Sequence, residues 1–292
     1  MKILVLGASG QVAQSLSAAA SPGHDLVTLG RPDGDLCNPL MPGRVLDQHR
    51  PDIVINAAAY TAVDKAESDE AAAEELNAAG PGRLAEACAA LGCPIVHYST
   101  DYVFDGTKPS PYFETDPTAP LGVYGRTKLA GEHAVANATP DHIILRTAWV
   151  YSPYGGNFVK SMIRLGNERD SLSIVDDQIG NPSYAPHLAD ATLSICEQLL
   201  NGASHRGVFH MTGGGETSWY GFAKAIFETA GELVSKTPVL APIPSSEYPT
   251  PAKRPANSRL DGTRLKTCFN IALPHWSEGL QDCMRALKST QE

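Results

Sequence analysis

Tyr124 and Lys128 stand four residues apart in Tyr124-Gly125-Arg126-Thr127-Lys128. On a helix that spacing puts both side chains on one face. A phenol beside an ammonium ion is drawn toward phenolate, so this pairing predicts a tyrosine pKa below its usual value near 10. Such a tyrosine can protonate an alkoxide as hydride reaches a carbonyl carbon, or take the proton in reverse. Thr100, 24 residues upstream in Ser99-Thr100-Asp101, adds a hydroxyl able to orient the reacting oxygen.

These groups need strand ends to hold them, and the chain supplies a regular series. Continuous apolar runs at Lys2–Leu6, Asp25–Leu29, Asp52–Asn56, Pro94–Tyr98, His142–Arg146 and Val208–Met211 read as buried strands. Helical patterns lie between them, at Gly10–Ala20, Val45–His49, Glu70–Leu91, Val123–Ala138, Pro182–Leu200 and Ser218–Ala230. Strands of this kind alternating with helices predict an α/β fold with a Rossmann-like, doubly wound parallel sheet. The texture changes near residue 150. Residues 1–150, with about 170–230 returning to them, are expected to form the dinucleotide-binding domain. Residues 151–169 and 231–292 are expected to form a smaller C-terminal substrate-binding domain. Residues 237–258 carry six prolines and read as an ordered binding loop or lid.

Gly7-Ala8-Ser9-Gly10-Gln11-Val12-Ala13 joins the first strand to the first helix. Glycine there permits a tight turn and a close approach of backbone amides to a pyrophosphate. The second strand ends Leu29-Gly30-Arg31 with no acidic residue to take a ribose 2′-hydroxyl. Arg31 suits a 2′-phosphate instead, which predicts NADPH, with NADH possible.

With 292 residues and 42% hydrophobic content, the chain has the material for a sizeable core. Its net charge of −9 opposes binding to nucleic acid. No apolar run approaches the length of a membrane span or a signal peptide. The six cysteines form no CxxC pair, which fits reduced thiols in the cytoplasm. His97, His187 and His210 lack metal-ligand spacing and read as structural.

Gly7–Ala13, Asn56–Ala59, Ser99–Phe104 and Tyr124–Lys128 together resemble the extended short-chain dehydrogenase/reductases. Longer stretches resemble the branch that reduces 4-keto sugar nucleotides: Asn56–Glu67, Tyr98–Phe104, Arg146–Tyr151 and Arg254–Leu260. The resemblance covers essentially the whole chain. It implies reduction of the C4 keto group of dTDP-4-dehydro-6-deoxy-L-mannose to dTDP-L-rhamnose. It makes Tyr124 the proton donor, Lys128 its tuning and cofactor-binding partner, and Thr100 the third catalytic residue. It assigns Gly7, Gly10, Gln11, Val12, Asp35, Leu36, Ala59, Tyr60, Thr61 and Tyr98 to the cofactor. Asp101 and Trp149 are assigned to the sugar nucleotide, and Arg254, Asn257 and Arg259 are expected at its diphosphate. Some relatives dimerise through a glutamate-bridged metal. Ser15 supplies no carboxylate for that bridge, so the expectation is no metal and a monomer or weak homodimer. Two alternatives stand beside this reading. One is an epimerase or reductase of another keto sugar. The other is a non-catalytic subunit resembling the regulatory subunit of methionine adenosyltransferase.

Overall fold

The computed structural model describes residues 1–290. Six parallel strands form its central sheet: β1 (Lys2–Leu6), β2 (Asp25–Leu29), β3 (Ile53–Asn56), β4 (Ile95–Thr100), β5 (His142–Thr147) and β6 (Gly207–His210). Their order is β6-β5-β4-β3-β1-β2. The chain starts at β1, steps out to β2, then returns to the other side of β1. The crevice beyond the ends of β1 and β3 is therefore the switch point of the sheet, where α/β proteins bind ligands.

Period-two alternation sends side chains to both faces, and both are covered. Ile3 and Val5 pack under helices Gln11–Ala19 and Ala185–Leu200 through Ala13, Leu16, Leu188 and Ile195. Leu4 and Leu6 face Met41–His49, Gly80–Leu91 and Val123–Ala138 through Met41, Val45, Leu84 and Val135. Strands buried on both faces read as unbroken apolar runs, which is why they are legible in sequence.

The helical run expected over Glu70–Leu91 is three joined pieces, with a π turn at Glu75–Ala79 between Glu70–Glu74 and Gly80–Leu91. Asn77 in that turn is fully buried. Its side chain accepts from Tyr60 N at 2.8 Å and donates to Tyr60 O at 3.2 Å and Thr127 Oγ1 at 3.1 Å. It thereby pins the loop after β3 to the helix that carries Tyr124 and Lys128.

A second core holds Tyr151, Val159, Leu172, Phe222, Ile226, Leu280 and Met284. Only part of the segment expected to return to the first layer does so. Ala185–Leu200 and Gly207–His210 return, whereas Ser171–Val175 and Trp219–Ala230 pack in the second core. Conversely, Leu265 and Phe269 join the first core from a segment assigned to the second domain. The proline-rich stretch includes a strand, Val239–Ile243, paired in parallel with Ser171–Val175. That ribbon has only these two strands, so Pro242 sits on an edge, where its missing N–H is tolerated.

Candidate active site

Gly7 has φ +101°, and a Cβ there would lie 2.8 Å from Ala58 N. Only glycine lets β1 end this close to the loop after β3. Gly10 opens helix Gln11–Ala19 without a side-chain cap. Its first-turn amides therefore remain available to an anion. The Gln11 side chain is engaged elsewhere. Its Nε2 donates to Val150 O at 3.3 Å, and its Oε1 accepts from Ser152 Oγ at 2.8 Å and Asn157 Nδ2 at 2.9 Å. Gln11 thus ties the glycine turn to segment 150–157 and leaves its backbone amide for a ligand.

A cavity of about 600 Å³ runs along the strand ends. Gly7, Gly10, Gln11, Val12, Arg31, Asp35, Leu36, Ala59, Thr61, Tyr98, Thr100, Asp101, Tyr124, Lys128 and Trp149 all line it. Among the described residues, the Arg31 guanidinium has no ion-pair partner. It also borders an adjoining hollow formed by Ala8, Ser9, Thr28 and Asp33.

The other expected site residues are not brought to the cavity. Tyr60 turns its hydroxyl to Asp69, at 2.9 Å. Arg254 pairs with Asp64 at 3.0 Å. Arg259 bonds both carboxylate oxygens of Glu216, at 3.0 and 3.2 Å. Asn257 donates to Lys108 O and Ser110 O and accepts from Arg259 Nε. Arg254, Arg259 and Asn257 thereby brace their loops against partners that lie far away in sequence.

The acid–base end departs from expectation in one respect. Tyr124 is pushed up to about 12, not down. Burial is the main cause. The nearby Thr100 hydroxyl pulls the other way, and the Asp101 charge adds to the rise. The reason is where Lys128 points. Its Nζ donates to Tyr98 O at 2.6 Å and lies 3.5 Å from His97 Nε2. Burial pushes this lysine down to about 8, against the raising effect of Glu132.

His97, read as structural in sequence, stands against Lys128. Asn56 Oδ1 accepts from Ala58 N at 3.1 Å, so Asn56 Nδ2 faces His97 Nδ1 at 3.0 Å and donates. Burial and the Lys128 charge hold His97 well below its usual pKa. The ring is therefore neutral, packed between Asn56 and Lys128.

Asp101 is fully buried and pushed up to about 6 by desolvation, with Ser258 and Thr100 opposing the rise. Folded Asp101 therefore holds its proton through a window, from about 3.8 to about 6, where the unfolded chain releases it. Its contribution to stability falls as pH rises through that window, by about 3 kcal/mol. Asp101→Asn should flatten this slope. Urea unfolding at about pH 4 and about pH 7 checks it, and parallel losses in both proteins would contradict the assignment.

Trp149 has φ +50°, and its ring stacks on Trp219 at 3.5 Å between centroids. Trp219 also lines the cavity. It escapes sequence reasoning because nothing in its helix reports on a partner 70 positions away. Gly180 makes room for the stack, since a Cβ there would lie 2.6 Å from the Trp149 ring.

A glycine turn, a helix end free of side-chain caps, and buried Thr100 and Lys128 beside half-buried Tyr124 on one crevice define a dinucleotide-dependent oxidoreductase architecture. Residues 1–289 match the family model described as RmlD substrate binding domain. The dTDP-4-dehydrorhamnose reductase of Sinorhizobium fredii is 49% identical over 290 residues, covering 98% of each chain. The solved dTDP-4-dehydrorhamnose reductase of Clostridium acetobutylicum has a TM-score of 0.91 at 38% identity, over 99% of this chain and 100% of that one. The Bacillus anthracis enzyme, solved in complex with NADP, has a TM-score of 0.91 at 35% identity, over 98% and 99%. The chain belongs to the dTDP-4-dehydrorhamnose reductase family.

Proposed function

We propose that the chain reduces the C4 keto group of dTDP-4-dehydro-6-deoxy-L-mannose with NADPH, giving dTDP-L-rhamnose. The observation that carries this reading is that Thr100, Tyr124 and Lys128 share one cavity with the free amide end of the glycine-led helix. The cradle fits a dinucleotide. Gly7 leaves no space for a side chain between the turn and Ala58, and the amides after Gly10 suit a pyrophosphate. Gly7, Gly10, Gln11 and Val12 would hold that pyrophosphate, Arg31, Asp35 and Leu36 the adenosine end, and Tyr98 and Lys128 the nicotinamide end. When bound, the reduced nicotinamide supplies the hydride.

Tyr124 supplies the proton. Its pKa of about 12 keeps the phenol protonated at neutral pH, the state that reduction needs. As charge develops on the C4 oxygen, Tyr124 donates to it and Thr100 orients it. Lys128, held one helical turn on by the Tyr98 carbonyl, would bind the nicotinamide end of the cofactor. Trp149 and Trp219 wall the sugar side, and Asp101 lies beside it. The six free cysteines fit a reducing cytoplasmic setting, and no described helix is long and apolar enough to cross a membrane.

The reading is tested by following reduced-cofactor absorbance with the keto sugar nucleotide. Continuous consumption of NADPH in step with dTDP-L-rhamnose supports it. Turnover without net consumption would point to an epimerase. Binding of NADPH without turnover of this or another keto sugar would point to a non-catalytic subunit. Arg31→Ala should weaken NADPH by roughly 10–100-fold, the loss of a charge-assisted contact to the 2′-phosphate. NADH should change by less than about threefold, because it has no phosphate there. Equal losses in the two titrations would remove Arg31 from cofactor selection.

A further inference from the structure

We propose that Glu67 is a positioning residue for the reduction: its carboxylate ties the first turn of the helix that carries Tyr124 to the loop that lines the cavity after β3. The proposal deepens the reductase reading above and rests on it. Val123 opens that helix, one residue before Tyr124. Its backbone N–H donates to Glu67 Oε1 at 2.8 Å. Among the described residues, no other side chain accepts from the amides of Val123, Tyr124 or Gly125. A helix leaves its first amides without partners of its own, and a carboxylate there also meets the positive end of the helix dipole.

The residue that would ordinarily cap this helix leaves the task to Glu67. Gly122 holds the N-cap position and has no side chain to offer. Its φ of −141° is extended backbone, which serine, asparagine or aspartate adopts equally well. Space, not conformation, sets glycine apart here, because a Cβ at position 122 would lie 2.5 Å from Glu67 Oε1. A local cap and the remote carboxylate compete for one place. The chain fills it with a carboxylate 56 positions before the amide it binds. A local cap would serve the helix alone, whereas the remote one joins two segments.

Both segments end at the site. Thr61 and Val63 line the cavity just before Glu67. Asp64 accepts from Ala252 N at 3.2 Å and pairs with Arg254 at 3.0 Å. On the other side, Tyr60 and Tyr124 both pack against the buried cluster of Ala66, Ala73 and Val123. A shift of Val123 relative to Ala66 therefore carries the Tyr124 ring with it. The ties from Arg126 to Glu70 and from Asn77 to Thr127 lie further along the helix. Glu67 acts on the turn from which the phenol projects.

The test compares wild type, Glu67→Gln, Glu67→Ala and the double variant Glu67→Ala with Gly122→Asn, each supplied with NADPH and dTDP-4-dehydro-6-deoxy-L-mannose. Steady-state kcat and KM, NADPH affinity and the melting temperature are measured on all four. Glu67→Ala should lower kcat by about 10–100-fold, the scale for a misplacement of up to about 1 Å, with KM and NADPH affinity within about threefold. Its melting temperature should fall by a few degrees, as for a lost cap. Glu67→Gln keeps a carbonyl acceptor and should hold kcat within about threefold of wild type. Gly122→Asn supplies a local cap, so the double variant should regain the melting temperature and not kcat. A kcat that returns with the melting temperature would reduce Glu67 to a helix cap and overturn the proposal. So would unchanged kcat in Glu67→Ala, a loss confined to KM or to NADPH affinity, or a Glu67→Gln as slow as Glu67→Ala. A wild-type protein that binds NADPH without turning over the sugar would overturn the reductase reading, and this assignment with it.

Discussion

Tyr124→Phe should lower turnover by roughly 10²–10⁴-fold, the range for a lost general acid, and leave NADPH affinity within about threefold. The change deletes one oxygen and keeps the ring. That ring packs edge-on against Tyr102, with centroids 5.4 Å apart, so the site keeps its shape. The missing group is the proton donor of the proposed mechanism. Burial holds the phenol near 12, so it carries its proton at neutral pH. In the proposed mechanism Thr100 orients the C4 oxygen and does not replace the lost proton donor. Single-turnover rates and cofactor titrations on the same preparation check both halves. Turnover above about a tenth of wild type would remove Tyr124 from the mechanism.

Glu132→Gln should cost about 3–5 kcal/mol of folding stability, the range for breaking one side of a buried ion pair. Glu132 and Arg146 are 2% and 4% exposed. Arg146 Nε reaches Glu132 Oε1 at 2.9 Å, and its second nitrogen reaches Oε2 at 2.7 Å. The neutral variant strands a guanidinium beneath β5, over the ring of Phe104. It also removes the carboxylate that opposes the loss of charge on Lys128. Replacing both partners with apolar residues, as Glu132→Leu with Arg146→Met, should recover most of the stability, because no charge is left unpaired. Urea unfolding of the three proteins decides it. A single-variant loss below about 1 kcal/mol would show that the pair adds little.

Much of this architecture is legible because it follows from short-range rules. The strands buried on both faces read as apolar runs, and the glycine turn reads as a tight βα connection. Helical spacing alone sets Tyr124 and Lys128 on one wall. Spacing says nothing of burial, however. The expectation of an acidified tyrosine treated the pair as though the ammonium faced the phenol. In the fold Lys128 reaches the Tyr98 carbonyl and stands against His97, and desolvation decides both pKa values.

The remaining differences are long-range. Arg254 and Arg259 read as free cations because Asp64 and Glu216 are distant in sequence. Trp219 reads as an ordinary residue at a helix start until the fold stacks it on Trp149. Val239–Ile243 reads as loop because proline argues against a strand, and only an edge position permits it there.

The most direct test of the account is the fate of the hydride. The protein is supplied with NADPH deuterated at the transferring position of its nicotinamide, together with dTDP-4-dehydro-6-deoxy-L-mannose. The account predicts dTDP-L-rhamnose with deuterium on sugar C4, one NADPH consumed per product, and loss of that label transfer in Tyr124→Phe. Product without deuterium at C4, or label transfer undiminished in Tyr124→Phe, would contradict it.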